Sequence, residues 1–261
     1  TLVAEGTPAA PIYFTSNAAT PAPGDWGAVM ILTNNAPLAI SHCVFRYAEN
    51  GVRYRLDHPG AGTLAGRVSN SLFRDNQTGL LVMLTPDYPE GGTLQVRLLI
   101  ENNLFQDNID YGIFYSDRSG YGTLLDDSLI QNNVVENSNV GLFLKNGSWW
   151  LGHVDHNAVV RNNTIRSCDT YGIEIQAHGS DDSSGSDIKI RPIIEHNLLE
   201  NNGTNLRLQL QPRGTDGTQI LAPTIRYNTI RNAPYGLVIE DSEPYGTLAP
   251  VVTDNVFYGL S

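Results

Sequence analysis

Lysine is almost missing from this sequence. Only Lys145 and Lys189 occur, and basic residues number 16 against 27 acidic ones, for a formal net charge of −11. Binding a phosphate backbone needs a basic face that displaces counterions, so no nucleic-acid partner is expected. An acidic surface of this kind more often serves solubility than recognition. No run of eighteen apolar residues occurs, so there is no transmembrane segment. No signal peptide is visible, and the opening at Thr1 without Met suits a processed or excised segment. Cysteine is confined to Cys43 and Cys168.

What is present is a repeat. The stretch Ile100 to Tyr115 reads IENNLFQDNIDYGIFY, and the same frame starts again at Ile40, Val68, Ile130, Val160, Ile194, Ile225 and Val252. A fixed period of roughly thirty residues is the mark of a solenoid and overrides element-by-element assignment. Three residues after the anchors runs the column Cys43, Ser71, Asn103, Asn133, Asn163, Asn197, Asn228 and Asn255. In-register Asn side chains can hydrogen-bond along the stack. A second column holds Gly51, Gly79, Gly112, Gly141, Gly172, Asn205 and Gly236, the residues expected where φ is positive.

These residues resemble the right-handed parallel β-helix repeat proteins, the pectate-lyase-like superfamily, whose short rungs carry an Asn ladder at one turn. The resemblance implies an all-β chain: one right-handed parallel β-helix domain over residues 1–261, with about eight to nine rungs and an Asn ladder. It also implies a secreted or cell-surface location, in keeping with the richness in Asn, Gly, Thr and Tyr. It says little about activity, because many activities share that fold. The opening residues Pro11 to Ser16 and Asp25 to Ile31 are similar to the first rung of secreted bacterial β-helix proteins, with no amphipathic cap before them. Cys43 and Cys168 fall four rungs apart, about 19 Å at strand spacing, which excludes a disulfide. Cys43 replaces Asn in the ladder as a small buried residue.

Insertions are expected at one turn per rung: His58 to Thr63, Pro86 to Gly92, Asp117 to Gly122, Gly147 to Gly152, His178 to Asp187, Pro212 to Thr218 and Ser242 to Thr247. Loops gathered on one face commonly build a binding surface. The charged columns Arg161, Glu195, Arg226 and Arg166, Glu200, Arg231 read as cross-rung pairs. Sequons at Asn76, Asn146, Asn162 and Asn202 are candidate glycan acceptors, although chance produces most of them in so Asn-rich a chain.

Candidate chemistry lies on the strand after the glycine column. Period-two alternation turns Val52, Leu80, Ile113, Leu142, Leu144, Ile173 and Leu206 inward and leaves an outward face. There Leu81, Met83, Phe114 and Phe143 form an apolar patch that calls for a cover, a partner or a ligand. Phe114, Phe143, Trp149 and Trp150 are the candidates for sugar stacking, with Arg207 as a grip on hydroxyls or carboxylates. Beside them Lys145, Glu174, His178 and Arg207 are the catalytic candidates, since a lyase needs a base and a way to neutralise a uronate. The loop with Asp181, Asp182 and Asp187 offers three carboxylates for Ca²⁺ without the spacing of a dedicated calcium loop. His153 and His156 are weak metal ligands and read more simply as surface histidines.

The family's complete hydrolase constellations are absent. Asp181-Asp182 and Lys189-Ile190-Arg191 match only fragments, out of order and on one rung. No outward column is a flat Thr array, which disfavours ice binding. The leading expectation is an extracellular non-catalytic module, a structural or surface scaffold that stacks head to tail or contacts glycans. The rival is a polysaccharide lyase or hydrolase acting on an acidic glycan.

Overall fold

The computed structural model describes residues 2–32, 38–57, 61–85, 92–148, 151–179, 185–211, 217–242 and 245–260. Among them every regular element is a β-strand, and every pairing between these strands is parallel. Among the described residues no helix is long and apolar enough to cross a membrane.

The strands form three sheets that wrap one core. The first face has 14 strands, the second nine and the third eight, in line with eight coils and the start of a ninth. Leu94, Ile100, Phe105 and Ile113, all at most 1% exposed, fill one such coil. Like residues stack on like. Phe14, Phe45, Phe73 and Phe105 form a column with ring centroids 4.7 to 4.8 Å apart, close to the strand spacing that dictates it.

Each coil turns two corners with one left-handed residue apiece. Asn102 (φ 56°) ends the first-face strand and Asp107 (φ 55°) ends the second-face strand; Asn132, Asn137 and Asn162 repeat the device. Asn and Asp tolerate this region because a short polar side chain can bond locally. Immediately after the first corner comes the expected ladder. Asn163 Oδ1 accepts from the Asn133 amide at 2.9 Å and its Nδ2 at 3.0 Å, while Asn163 Nδ2 donates to the Ile130 carbonyl at 2.9 Å. Ser71 and Cys43 stand in the ladder as expected, the Cys43 amide donating to Ser71 Oγ at 3.1 Å.

A second, interrupted ladder follows the second corner. Asn76 and Asn108 are linked Nδ2 to Oδ1 at 3.0 Å, and Asn202 Oδ1 accepts from the Cys168 amide at 2.9 Å. Ser138 and Cys168 break its run of Asn, which hid it in the sequence. Both cysteines are buried and free.

Two expectations are corrected. The glycine column does not have positive φ; those backbones are extended strand. Glycine is needed there for space. A Cβ on Gly141 would stand 2.6 Å from the Gly172 carbonyl oxygen and 2.5 Å from Ile165 Cγ2, closer than atoms pack. Gly141→Ala is therefore expected to lower stability by about 2 kcal/mol or more through overpacking. Gly27→Ala, where nothing lies within 4 Å, should be neutral; urea midpoints of the two variants check the contrast.

The sequons are the second correction. Asn76, Asn146 and Asn202 are at most 3% exposed, so they are closed to glycosylation; Asn162 alone is exposed.

The long turns do fall at one corner, between the third and first faces. Two of them start later than the sequence suggests. The third-face strands Tyr111–Ser119 and Val140–Ser148 run through Asp117 and Gly147. Residues 58–60, 86–91, 180–184, 212–216 and 243–244 of the expected insertions lie outside the described residues.

The charged columns pair in part as expected: Glu195 takes Arg226 and Glu200 takes Arg231, whereas Arg161 donates to Gln131 and Arg166 pairs with Glu136. Arg226 meets Glu195 at 2.8 Å and Arg166 meets Glu136 at 2.6 Å, with 41% and 45% of the arginine side chains exposed. Pairs this wet contribute only tenths of a kcal/mol each.

Candidate functional site

The outward side of the third face carries three columns set by strand register. The first is Arg53, Leu81, Phe114, Phe143, Glu174, Arg207 and Val238. The second runs Met83, Ser116, Lys145, Gln176 and Gln209. In the third, His178 stands beside Gly147 and Gln211. The catalytic candidates thus share one face, and the apolar patch is contiguous.

Its state differs from the expectation. Phe143 is only 7% exposed. Phe114 meets it edge-on at 5.3 Å, and Tyr111 stacks against it at 5.8 Å. Its ring is therefore consumed by neighbouring rings and is not a platform for a sugar. Phe114 remains half-buried. Trp149 and Trp150 lie outside the described residues.

Arg207 is tied down. Its Nη1 donates to Glu174 Oε1 and its Nη2 to Glu240 Oε2, both at 2.6 Å, and the guanidinium lies 5.0 Å from the centre of the Tyr171 ring. Burial works against its charge, but the Glu240 hydrogen bond and the surrounding negative charge outweigh it and hold its pKa above the usual arginine value. Such a group is neither a base nor a free clamp. Glu174 is itself buried, and burial raises its pKa against the pull of Arg207. Lys145 differs: partial burial, then the nearby charge of Arg118, lowers its pKa. His178 is half-buried and engaged.

The calcium candidates do not assemble among the described residues. Asp181 and Asp182 fall outside them. Asp187 accepts from Lys189 Nζ at 2.6 Å and lies 3.8 Å from His153 Nδ1, so its carboxylate is already partnered by a lysine.

The concentration of chemistry that sequence reasoning missed is inside the solenoid. His153 and His156 sit on a strand, His153–His156, and not on a turn. Alternation sends His153 to solvent and His156 into the core, where it is fully buried with Asp117 and Asp126. Asp126 ends the strand Thr123–Asp126. From this coil onward each first-face strand splits in two, and the bend is made by Asp126 Oδ1 accepting from the Ser128 amide at 2.8 Å, an Asx turn. Ser128 Oγ then accepts from the Leu98 amide at 3.0 Å and meets Tyr115 Oη at 2.9 Å.

His156 Nδ1 lies 2.8 Å from Asp117 Oδ2 and 3.2 Å from Asp126 Oδ2. Burial and then the Asp126 charge push the Asp117 carboxyl up to about 8. Burial opposes the imidazolium, but the two carboxylates outweigh it and push His156 up to about 10. Asp126 is held below its ordinary value: burial opposes ionisation, and hydrogen bonds from His156, Asp117 and Ser128 prevail. With Asp117 and His156 raised and Asp126 lowered, the shifts favour an imidazolium between one carboxylate and one carboxylic acid.

Fold and columns together define a parallel β-solenoid with side-chain ladders at its corners. The chain belongs to the right-handed β-helix family: the family model "Right handed beta helix region" matches residues 27–261. No curated protein and no solved structure matches the chain significantly.

Proposed function

We propose that this chain is a non-catalytic β-helix module of a secreted or cell-surface protein, a rigid scaffold that joins a second copy end to end. The observation that carries the reading is the outward third face, where Arg207 is held by Glu174 and by Glu240, both at 2.6 Å, and Phe143 is covered by neighbouring rings. Val252, Phe257 and Ile239 continue inward columns whose preceding members Ile225, Ile230 and Leu208 are fully buried, yet they are 38%, 40% and 46% exposed.

A surface of this shape fits another coil of the same cross-section. The opening strands Ile12–Phe14 and Trp26–Ile31 belong to the second and third sheets, so a head-to-tail contact would extend both. Such a heterologous contact does not close and makes a filament. The Asn, Gly, Thr and Tyr richness and the membership of the β-helix family support the extracellular setting. Internal pairing of Glu174, Arg207 and Glu240 supports the non-catalytic one.

Negative-stain electron microscopy over a concentration series tests the assembly. Strings of rods that disperse on Phe257→Asp support it, and single rods at the highest concentration overturn it. A second reading, cleavage of an acidic glycan, has one observation in its favour: Lys145 has a lowered pKa beside Arg118. Release of unsaturated or reducing ends from an acidic polysaccharide, lost in Lys145→Ala, would establish that reading in place of the first.

A further inference from the structure

Two inward columns of the core turn polar together on two successive coils, flanked on both sides by apolar members. On the third face the column runs Leu84, Asp117, Asn146, Ala177 and Leu210. On the first it runs Val96, Asp126, His156, Ile190 and Leu221. The polar members face one another across the same corner of the interior, and all four are 0% exposed. Burying four polar side chains where the flanking coils carry Leu84, Val96, Ala177 and Ile190 costs stability unless something satisfies them.

Hydrogen bonding among themselves does not. Asp117 Oδ1, His156 Nε2 and both polar atoms of the Asn146 amide have no hydrogen-bond partner among the described residues. Each buried orphan costs about 1 to 3 kcal/mol. The donor atoms themselves are already grouped. One ligand atom each from Asp117, Asp126 and His156 lies within 4.8 Å of the others. His156 Nδ1 stands 2.8 and 3.2 Å from the two carboxylate oxygens, whereas ligands bonded at about 2.1 Å around one ion are roughly 3.0 to 3.4 Å apart. The 3.2 Å contact falls within that range and the 2.8 Å one just short of it, so a small outward shift opens the three ligands around an ion.

We propose that Asp117, Asp126 and His156 bind one divalent first-row transition ion of the Zn²⁺ class inside the solenoid, with the Asn146 amide beside them. Two carboxylates and an imidazole select such an ion over Ca²⁺ or Mg²⁺, which take oxygen ligands. Asn146, the strand neighbour of Asp117 on the same inward column, offers its carbonyl oxygen as a further ligand or as the acceptor for a bound water. On loading, the ion takes the place of the protons that hold the cluster together, and these leave to solvent. The site is closed to solvent, so the ion enters as the coils assemble and is then retained. Its place is where the first-face strands begin to split, so it fastens the bend that changes the cross-section of the solenoid.

The test is to refold the whole chain with Zn²⁺ or with chelator, desalt, and count metal by mass spectrometry. One Zn²⁺ per chain, a melting temperature higher by roughly 5 °C than that of the chelated protein, and no effect of Ca²⁺ are expected. Co²⁺ in place of Zn²⁺ should give the visible bands of a low-coordinate nitrogen and oxygen site. Asp126→Asn and His156→Gln should each abolish retention. The triple variant Asp117→Leu, Asp126→Val, His156→Ile restores the apolar columns and is expected to fold without metal. It should show neither the metal count nor the shift. Less than a tenth of an equivalent retained by the wild-type chain, or equal retention by the triple variant, overturns the site.

Discussion

Asn163→Ala is expected to lower the stability of the chain by about 4 kcal/mol, a loss it shares with the equally bonded Asn133 and Asn197. The side chain makes four hydrogen bonds; Asn133 Nδ2 also donates to the Ile100 carbonyl and Asn197 Oδ1 also accepts from the Asn163 amide, so truncation falls hardest on the Asn133 amide and the Ile130 carbonyl. Asn163 Oδ1 accepts from the Asn133 amide and Nδ2, and Asn163 Nδ2 donates to the Ile130 carbonyl and to Asn197 Oδ1. Truncation leaves the Asn133 amide and the Ile130 carbonyl buried and unpaired, each worth about 1 to 3 kcal/mol, and a cavity adds to this. Asn163→Ser should cost less, because Ser71 shows how a hydroxyl serves the ladder: it donates to the Ser69 carbonyl and accepts from the Cys43 amide.

Asn255→Ala is the internal contrast. Asn255 also accepts from the Asn228 amide and Nδ2, both at 2.9 Å, but it stands on the last coil and is only half-buried. Water can replace what it loses, so a cost near 1 kcal/mol is expected. Stability in a solenoid is close to a sum over neighbouring coils, so hydrogen exchange localises the effect better than one melting curve. The Asn133 amide should exchange far faster in Asn163→Ala. An unchanged rate there would mean that the ladder is not what holds that corner.

The ladder was legible in the sequence because it is periodic, and so was the coil. The anchors from Ile40 to Val252 each begin a corner, and no local propensity is needed to see them. The glycine column was found for the wrong reason. Sequence supplies the residue type but not the neighbour that forbids a Cβ, and here the left-handed corners belong to Asn102, Asp107 and their equivalents.

The outward face was legible through strand alternation, down to the adjacency of Glu174 and Arg207. Which of its groups are already paired was not, because the Arg207 contacts with Glu174 and Glu240 cross coils in both directions. The buried cluster was obscured by composition. Asp117-Arg118-Ser119-Gly120 reads as a turn, and two histidines three apart read as surface residues. The signal lay in parity. Val154 faces inward, so His156 must, and Leu124 places Asp126 beside it. Following each column through every coil would have shown two apolar columns turning polar on the same pair of coils.

That pair of coils also makes stability depend on alkali. In chelator, raising the pH from about 6.5 towards 10 is expected to destabilise the protein by several kcal/mol. His156 is raised from 6.5 to about 10, so below 6.5 both folded and unfolded chains carry its proton; above that the folded chain alone keeps it, and the stabilisation is lost as pH passes the folded value. Asp117, raised from 3.8 to about 8, adds a second proton held only by the folded chain up to about 8. Stability falls with pH wherever the folded state binds more protons, so the steepest loss lies between about 6.5 and 8, where two protons differ, at roughly 3 kcal/mol per pH unit as an upper bound. Asp126, held below 3.8, acts the other way and only in acid. Also against the cluster are the Asn146 amide and the Tyr115 and Ser128 hydroxyls, and Tyr115 is pushed well above its ordinary value by burial first and the two aspartates next. It stays neutral throughout this window. The triple variant with Leu, Val and Ile at these positions should flatten the profile, and urea midpoints taken at pH 6, 7, 8 and 9 in chelator measure it. A wild-type midpoint independent of pH over that range would show that the imidazolium and the shared proton are not held as the geometry implies.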